Sequence, residues 1–525
     1  MSPLANSLII ALASTAIACV LGLLAAFALL AVQRSAFSVQ RSTFAPLLAL
    51  SVLPILVPSY VIVSFWMEAL GAGGWLSQLI AGGHAVSLTG LWPTVLVLAL
   101  IYWSPVALIC YFTLTRIDRA MIEAAELSLG KCRANLRVVA PLLWPSIAMG
   151  AALVFVLTFS NFSVPAMFQV RSIQNEIYVQ FNANFDAGKA LIAALPQLIA
   201  AIVLLWIVGR MLRGRPWIAV SGRSSGMAAM DSRFTVVRPR GSRLEARLHR
   251  LLGLGFLTGL LILSAIGPIT RSVAAVFHGK VLWQTLVVSA HQIWNSFWFA
   301  FVAATIVMFW SAAACCRFPI ARLVERRRPT RQQAGGRESG SKQPHSKSDS
   351  RLLALDSLLL IPFVLPEVLI GIALIAIFNR PSLQFIYTSI VIILIALVVR
   401  YFVVGKLAVS VGRSHVDPSL LEAAQLAGLS RFSMLFRIQL PLLSRWLFTG
   451  WWLVYLFCLA DVGSLVLIYP PGCDTVSIRI FNLLHYGYDA QVSVLCLVML
   501  VLGALPLFMW PRMTRSFTND RVQTT

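Results

Sequence analysis

The stretch SLIIALASTAIACVLGLLAAFALLAV, residues 7–32, decides the fold class of this chain because it holds no charged residue. About 20 apolar residues in a helix span the hydrocarbon core of a bilayer, which is about 30 Å thick. Similar stretches recur along the 525 residues, of which 59% are hydrophobic and 12% charged, whereas soluble chains carry about 25% charge. Backbone groups in lipid must bond within their own segment, so the sequence predicts an all-α, polytopic membrane protein.

The apolar stretches predict 11 transmembrane helices, at residues 5–33, 44–70, 91–115, 143–167, 190–212, 251–276, 292–316, 352–378, 383–409, 441–468 and 490–511. Most Lys and Arg residues lie in alternate loops, which the positive-inside rule makes cytoplasmic. The N-terminus is then external. With this odd number, two interpretations stay open: a true 11-helix protein, or a 12-helix protein whose first helix is missing. Either one is expected as a multi-pass protein of the bacterial inner membrane.

The net charge of +23 follows from this topology and does not by itself indicate a nucleic-acid partner. Basic residues are concentrated in a linker at 213–250 and in a second polar segment at 317–351, where attraction to anionic lipid accounts for them. We therefore expect contact with membrane lipid and no nucleic acid.

A repeat divides the chain into two similar parts with the same orientation. Short motifs recur at a nearly constant spacing, and both copies of the last one fall in loops predicted to be cytoplasmic. The recurring motifs are Asn6-Ser7 with Asn295-Ser296, Pro54 and Pro58 with Pro362 and Pro366, and Glu123-Ala124-Ala125 with Glu422-Ala423-Ala424. The predicted units are a first transmembrane domain (1–212), a basic cytoplasmic linker (213–250), an extra helix with an external loop (251–290), a second transmembrane domain (291–511) and a cytoplasmic tail (512–525).

The most informative motif is the second copy of this loop. It contains Glu422-Ala423-Ala424, then Gly428 after three residues, and Ile438-Gln439-Leu440-Pro441 after nine more. This spacing resembles the EAA loop of permease subunits in binding-protein-dependent ABC importers. The first copy is looser: Gly130 comes one residue late after Glu123-Ala124-Ala125, and Pro141 comes one residue early. The first loop is therefore expected to dock more weakly or in a different shape.

The resemblance implies a fused permease with two EAA-loop domains that forms the translocation pathway of an ATP-driven importer. Its implied partners are an ATP-binding subunit, expected in two copies, and a periplasmic or extracellular solute-binding protein. The fused layout resembles the ferric iron importers, so iron(III) is the expected solute, with thiamine or another small solute as the alternative. A secondary transporter is the rival from a different class. The implied docking residues are Glu123, Ala124, Ala125, Gly130, Pro141, Glu422, Ala423, Ala424, Gly428 and Pro441.

Catalytic and cofactor motifs are absent from the sequence. No G-x4-G-K-[ST] loop occurs, so ATP hydrolysis is assigned to a separate subunit and the chain is expected not to be an enzyme. No CxxC or Cys/His zinc spacing occurs among the eight cysteines, so neither a metal site nor a cofactor is expected in this chain.

Polar residues within or beside the spans are candidates for lining the pathway, because ionisable groups are costly in lipid. Prolines there should break the helices and free backbone carbonyl groups. The same residues have a simpler interpretation, in which they only satisfy backbone groups at the breaks. The candidates are Pro58, Asn161, Pro366, Glu367 and Asp461.

Overall fold

The structure, a computed structural model, describes residues 2–35, 47–71, 74–81, 90–115, 117, 119–184, 187–212, 243–274, 279–326, 361–414, 416, 420, 423–424, 426–427, 431–486 and 489–522. Within these ranges the chain forms helices and connecting turns, without a strand. The fold is therefore all-α, as the apolar stretches predict.

The described residues contain eight helices that are long and apolar enough to cross a membrane. They are Pro3–Gln33, Leu91–Leu114, Leu136–Phe159, Arg250–Ala274, Ala290–Ala314, Val391–Arg413, Arg437–Ala460 and Ala490–Leu507. Each corresponds to one predicted span. Of the other predicted spans, 190–212 lies within the helix Ala187–Leu212, and residues 47–70 form three helical pieces. The span at 352–378 is described from residue 361 on, as the helices Ile361–Val364 and Glu367–Phe378.

The described residues of the first half, 3–212, include a helical piece at 47–50 and eleven further helices, which are named here in chain order. They are α1 (Pro3–Ser35), α2 (Leu53–Leu56), α3 (Ser59–Leu70), α4 (Trp75–Ala81), α5 (Leu91–Leu114), α6 (Arg119–Leu129), α7 (Lys131–Ala134), α8 (Ala140–Phe159), α9 (Ser163–Met167), α10 (Ile173–Asn182) and α11 (Ala187–Leu212). A π-helical turn, Asn135–Val139, joins α7 to α8.

Within residues 243–274 and 279–288, three helices precede the second half: α12 (Arg243–Leu261), α13 (Gly267–Ala274) and α14 (Gly279–Val288), with a π-helical turn at Ile262–Ile266. The second half, residues 290–522, repeats the plan of the first. Its helices are α15 (Ala290–Arg326), α16 (Ile361–Val364), α17 (Glu367–Phe378), α18 (Gln384–Tyr387), α19 (Val391–Ser414), α20 (Arg431–Met434), α21 (Leu440–Ala460), α22 (Val476–His485) and α23 (Asp489–Val522). A π-helical turn at Leu435–Gln439 precedes α21.

Equivalent hydrogen bonds tie the first helix of each half to the turn before a short helix. The Ser7 hydroxyl accepts from the Ile173 backbone N–H at 2.8 Å, at the start of α10. In the second half, the Ser296 hydroxyl accepts from the Val476 N–H at 2.7 Å, at the start of α22. Sequence-distant residues thus make the same contact twice, as expected of a parallel repeat.

The two halves exchange helices across their interface. Helix α3 of the first half packs against α22 and α23 of the second, and α17 of the second half packs against α10 and α11 of the first. The aromatic rings of Phe162 and Phe481 meet at this interface, with centroids 5.5 Å apart. We call this contact surface the interface between the halves.

The helix predicted at 251–276, expected as an extra helix between the two transmembrane domains, contacts the first half. In the structure α12 packs along α1 of the first half, where Gly253 lies close to Ala28. The indole N–H of Trp103 donates to the Ser264 hydroxyl at 3.4 Å, and Arg271 forms an ion pair with Glu68. Close helix contact through small residues is favourable in lipid, which explains why this helix binds the first half.

Two predicted spans also end earlier than expected. The spans predicted at 143–167 and 441–468 stop as helices at Phe159 and Ala460, and the chain then turns. Apolar composition continues beyond both points, so hydropathy alone did not reveal the breaks. A polar residue follows each of them, and these residues form the centre of the candidate site.

Candidate functional site

Asn161 and Asp461 occupy equivalent turns directly after α8 and α21. The Asn161 Oδ1 atom accepts from the Val164 backbone N–H at 2.9 Å, and the Asp461 Oδ1 atom accepts from the Ser464 N–H at 2.9 Å. Both side chains are buried, with 9% and 4% of the residue exposed. Each therefore satisfies a backbone donor where its helix ends.

A tyrosine reaches each of these turns from the preceding long helix. The Asn161 amide donates to the Tyr102 hydroxyl at 3.5 Å, whereas the Tyr401 hydroxyl donates to Asp461 Oδ2 at 2.8 Å. Tyr102 lies on α5 and Tyr401 on α19. The same tyrosine contact thus occurs in both halves, with an amide partner in one and a carboxylate partner in the other.

Pro58 and Pro366 stand directly before α3 and α17, and both are buried. Proline fixes φ near −65° and has no N–H, so it suits the start of a helix and ends the one before it. Their backbone ψ values are 137° and 131°, so the chain is extended at both positions. The predicted proline breaks are present in both halves.

Glu367, Arg400 and Asp461 form a buried charged cluster on three separate elements of the second half. Arg400 Nη2 donates to Glu367 Oε1 at 2.8 Å, and Arg400 Nε lies 3.4 Å from Asp461 Oδ2. The exposed fractions of the three side chains are 18% for Glu367, 6% for Arg400 and 1% for Asp461. Charges buried at this depth need partners, and Arg400 supplies one to each carboxylate.

Arg400 and Tyr401 were absent from the candidates drawn from the sequence. The signal was available, because Arg400 lies well inside the apolar helix Val391–Arg413. An ionisable residue at that depth is a functional candidate by itself. Arg400 was overlooked because all basic residues were assigned to loops when the topology was predicted.

Contacts from the first half surround this cluster. The Ser160 hydroxyl donates to the Val364 carbonyl at 3.2 Å, and the Tyr60 hydroxyl donates to the Ala460 carbonyl. The Glu367 carboxylate also lies against the backbone amide of Phe162. The structure therefore brings Asn161, Pro366, Glu367 and Asp461 to the interface between the halves, each directly or through an immediate neighbour, whereas Pro58 lies two residues before the interface residue Tyr60.

The first half contributes a neutral polar pair at the same interface. Gln174 Nε2 donates to Gln197 Oε1 at 2.5 Å, and Gln197 Nε2 donates to the Phe159 carbonyl at 3.2 Å. Gln197, Ser160 and Val364 help to line a cavity of about 10 Å³, which is the room that one water molecule needs. The interface is closely packed at this point.

The first predicted docking loop is an amphipathic helix followed by a glycine. Ala124 on α6 is exposed, and so are the apolar side chains of Met121 and Leu127. Gly130 has φ +78°, a left-handed conformation that glycine adopts without strain, and it ends α6. Glu123 and Ala125 belong to the same helix, and Pro141 lies in the first turn of α8.

The second predicted loop is described only in part. Ala423 and Ala424 are helical, Ala424 is 6% exposed, and Pro441 lies in the first turn of α21. Glu422 and Gly428 lie outside the described residues. The π-helical turns at Asn135–Val139 and Leu435–Gln439 follow the two loops at equivalent positions.

In the part of the chain that the structure describes, no group of three or more His, Cys, Asp or Glu side chains could hold a metal ion. The cysteines described there are free. Outside the spans, burial and the neighbouring Asp474 carboxylate raise the pKa of the Cys473 thiol. That thiol is therefore protonated and weakly nucleophilic at neutral pH.

Comparison with known families places a recognisable domain in the second half. Residues 348–513 match the model of the inner membrane component of binding-protein-dependent transport systems. This segment contains the second predicted docking loop, the proline break and the charged cluster. The chain is a multi-pass protein of the inner membrane.

Individual relatives match over a similar length. The putative 2-aminoethylphosphonate transport system permease protein PhnV of Salmonella paratyphi A is 27% identical over 158 residues, 30% of this chain and 58% of that protein. The spermidine/putrescine transport system permease protein PotC of Haemophilus influenzae is 26% identical over 150 residues, 29% of this chain and 57% of its own length. The chain thus spans just over half the length of these relatives.

Proposed function

We propose that this chain is the permease subunit of an ATP-driven importer that receives its solute from a binding protein. The observation that carries the proposal is the match of residues 348–513 to the inner membrane component of such transport systems. The docking-loop motif of residues 422–441 lies inside that segment. A separate ATP-binding subunit and a solute-binding protein are the partners that this function requires.

We further propose that one chain supplies both permease domains. The equivalent serine contacts of Ser7 and Ser296, and the equivalent turns at Asn161 and Asp461, support this. The exchange of α3 and α17 across the interface gives the two halves a common contact surface. Such a surface between parallel repeats is a suitable place for a transport pathway.

In the proposed mechanism, the two docking loops carry motion from the ATP-binding subunits to the pathway. Helix α6 and its counterpart near Ala423 are each joined, through a short helix and a π-helical turn, to the long helices α8 and α21. These long helices end at the interface turns of Asn161 and Asp461. Movement of a loop therefore displaces a helix whose far end lies at the interface. Alternating closure of the two loops would open the interface to one side and then to the other.

The solute remains a proposal. Iron(III), the solute expected from the fused layout, gains no support from the relatives described above, which are named for 2-aminoethylphosphonate and for spermidine and putrescine. Thiamine gains none either. The family match names no solute. The chemistry of the interface bears on the charge of the solute.

The experiment that tests the proposed function is association with a candidate ATP-binding subunit. Glu422→Arg reverses a charge in the second docking loop, and we expect co-purification of the subunit to fall at least about tenfold, because a misplaced interface charge costs several kcal/mol. Glu176→Arg on α10 is the control, since it makes the same change on the predicted external side.

Equal loss in both variants would indicate misfolding, which size-exclusion chromatography would reveal. Unchanged association of the folded Glu422→Arg protein would contradict the docking role of this loop. If no ATP-binding subunit associates with the unaltered chain, the secondary transporter becomes the better interpretation.

A further inference from the structure

The two halves use the same backbone plan at the interface but differ in charge. Ile101 precedes Tyr102 on α5, and Arg400 precedes Tyr401 on α19. Ser59 follows Pro58, whereas Glu367 follows Pro366; Asn161 and Asp461 cap equivalent turns. The first half shows that this fold forms without any of the three charges, so building the repeat does not explain their presence.

The cluster carries more negative than positive charge. Two carboxylates, those of Glu367 and Asp461, share one guanidinium, that of Arg400. The neighbouring hydroxyls of Tyr60 and Tyr401 donate hydrogen bonds and carry no charge. An uncompensated negative charge at membrane depth is costly. A cation that reaches the interface would lower this cost, whereas an anion would raise it.

Hydrogen bonding at the cluster is incomplete in a specific way. Both oxygens of Asp461 are engaged by Tyr401 and the Ser464 N–H, so Glu367 is the more accessible carboxylate. Arg400 Nη1 is buried and has no hydrogen-bond partner among the described residues. The accessible edge of the cluster is therefore the Glu367 carboxylate. The enclosed Nη1 group of Arg400 lacks an acceptor within the described part of the chain, and an ammonium group does not supply one.

We propose that this cluster is the charge-selective contact of the transport pathway and that it favours solutes bearing a protonated amine. The inference rests on the proposed function and adds the chemical class of the solute. An ammonium group can donate to Glu367 while Arg400 keeps its own bonds to both carboxylates. A metal ion such as iron(III) would instead have to displace Arg400 from carboxylates that it already holds.

The test is equilibrium binding to the purified full-length chain in lipid nanodiscs. Putrescine and succinate serve as probes because both have a four-carbon backbone with opposite terminal charges, and ferric citrate serves as the metal probe. We expect measurable binding of putrescine and no saturable binding of ferric iron. Succinate should bind only with a dissociation constant above about 1 mM, the weak end of specific binding. Glu367→Gln should weaken putrescine binding about tenfold, as the loss of a charge-assisted contact does.

Two further variants keep the result interpretable. Glu68→Gln is the control, because Glu68 also pairs with an arginine on another helix, Arg271, but lies outside the cluster. This variant should leave putrescine binding unchanged. Asn161→Asp adds a carboxylate to the first-half turn, at the position where the second-half turn holds Asp461. The new carboxylate can still accept from the Val164 N–H. This variant should bind putrescine more tightly, by about threefold or more.

Absence of putrescine binding to the folded wild-type chain would overturn the inference, as would equal binding of succinate. Putrescine binding that persists unchanged in Glu367→Gln would also contradict the inference. It would mean that a proton, and not the solute, neutralises the Glu367 carboxylate. Saturable ferric iron binding that Glu367→Gln abolishes would replace the amine by the metal. None of these results depends on the ATP-binding subunit, so the inference and the proposed function can fail separately.

Discussion

The Asp461 side chain makes three separate polar contacts. It caps the turn after α21 through the Ser464 N–H, accepts from the Tyr401 hydroxyl, and faces Arg400. Asn161 caps its turn in the same way, but its contact with Tyr102 is longer, at 3.5 Å, and it has no charged partner among the described residues. A substitution at Asp461 should therefore be more costly than the same substitution at Asn161.

Asp461→Ala should lower the free energy of unfolding by about 3–5 kcal/mol, because it leaves the Arg400 side chain buried with one partner removed. Asn161→Ala removes a single cap and should cost about 1 kcal/mol. The measurement is the thermal unfolding midpoint of each variant in detergent. Asp461→Asn, which keeps the carbonyl oxygen for Ser464, should lie between the two.

A midpoint for Asp461→Ala that equals that of Asn161→Ala would contradict this account. It would mean that the pair with Glu367 is enough to compensate the buried charge of Arg400.

At the scale of helices, small residues decide which elements approach closely. Gly253 brings α12 against α1, where an added Cβ would lie 3.4 Å from Ala28 atoms. Gly255, two residues along the same helix, has nothing within 4 Å of an added Cβ. Two glycines of one helix thus differ in environment, which makes them a matched pair.

Gly253→Leu should force α12 away from α1 and destabilise the protein by about 1–3 kcal/mol through overpacking. Gly255→Leu should be tolerated, since its side chain meets open space. Thermal unfolding in detergent measures both. Equal effects of the two substitutions would show that helix propensity, and not packing against Ala28, governs this position.

At the scale of the whole molecule, α12 and α13 hold the two halves together. They follow the basic linker in sequence, yet α12 packs on α1 and α13 packs on both α3 and α23. The Glu68–Arg271 ion pair and the Trp103–Ser264 contact join this segment to the first half. The segment therefore acts as a non-covalent connection that does not depend on the linker.

A chain divided within residues 213–242 should still assemble when its two parts are co-expressed. Removing residues 243–274 from the second part should reduce co-purification about tenfold or more, the change that accompanies a loss of about 1.4 kcal/mol of association free energy. Undiminished association without this segment would show that the α3 and α17 exchange suffices.

The sequence alone determined the features that depend on local composition. Uninterrupted apolar stretches required membrane-spanning helices, because lipid offers no partner to a free backbone group. Proline at 58 and 366 determined two helix starts, since proline cannot continue the preceding helix. The spacing around Glu422 indicated the permease family, which the match of residues 348–513 supports.

Only the tertiary structure decided which distant residues meet. It ended α8 and α21 at Phe159 and Ala460 although apolar composition continues, because Asn161 and Asp461 cap the turns there. Placing α12 on the first half depended on the fit between Gly253 and Ala28. Arg400 became part of the site because helix packing brought it between two carboxylates from other elements. Charge pairing and close packing act through space, and spacing along the chain does not encode them.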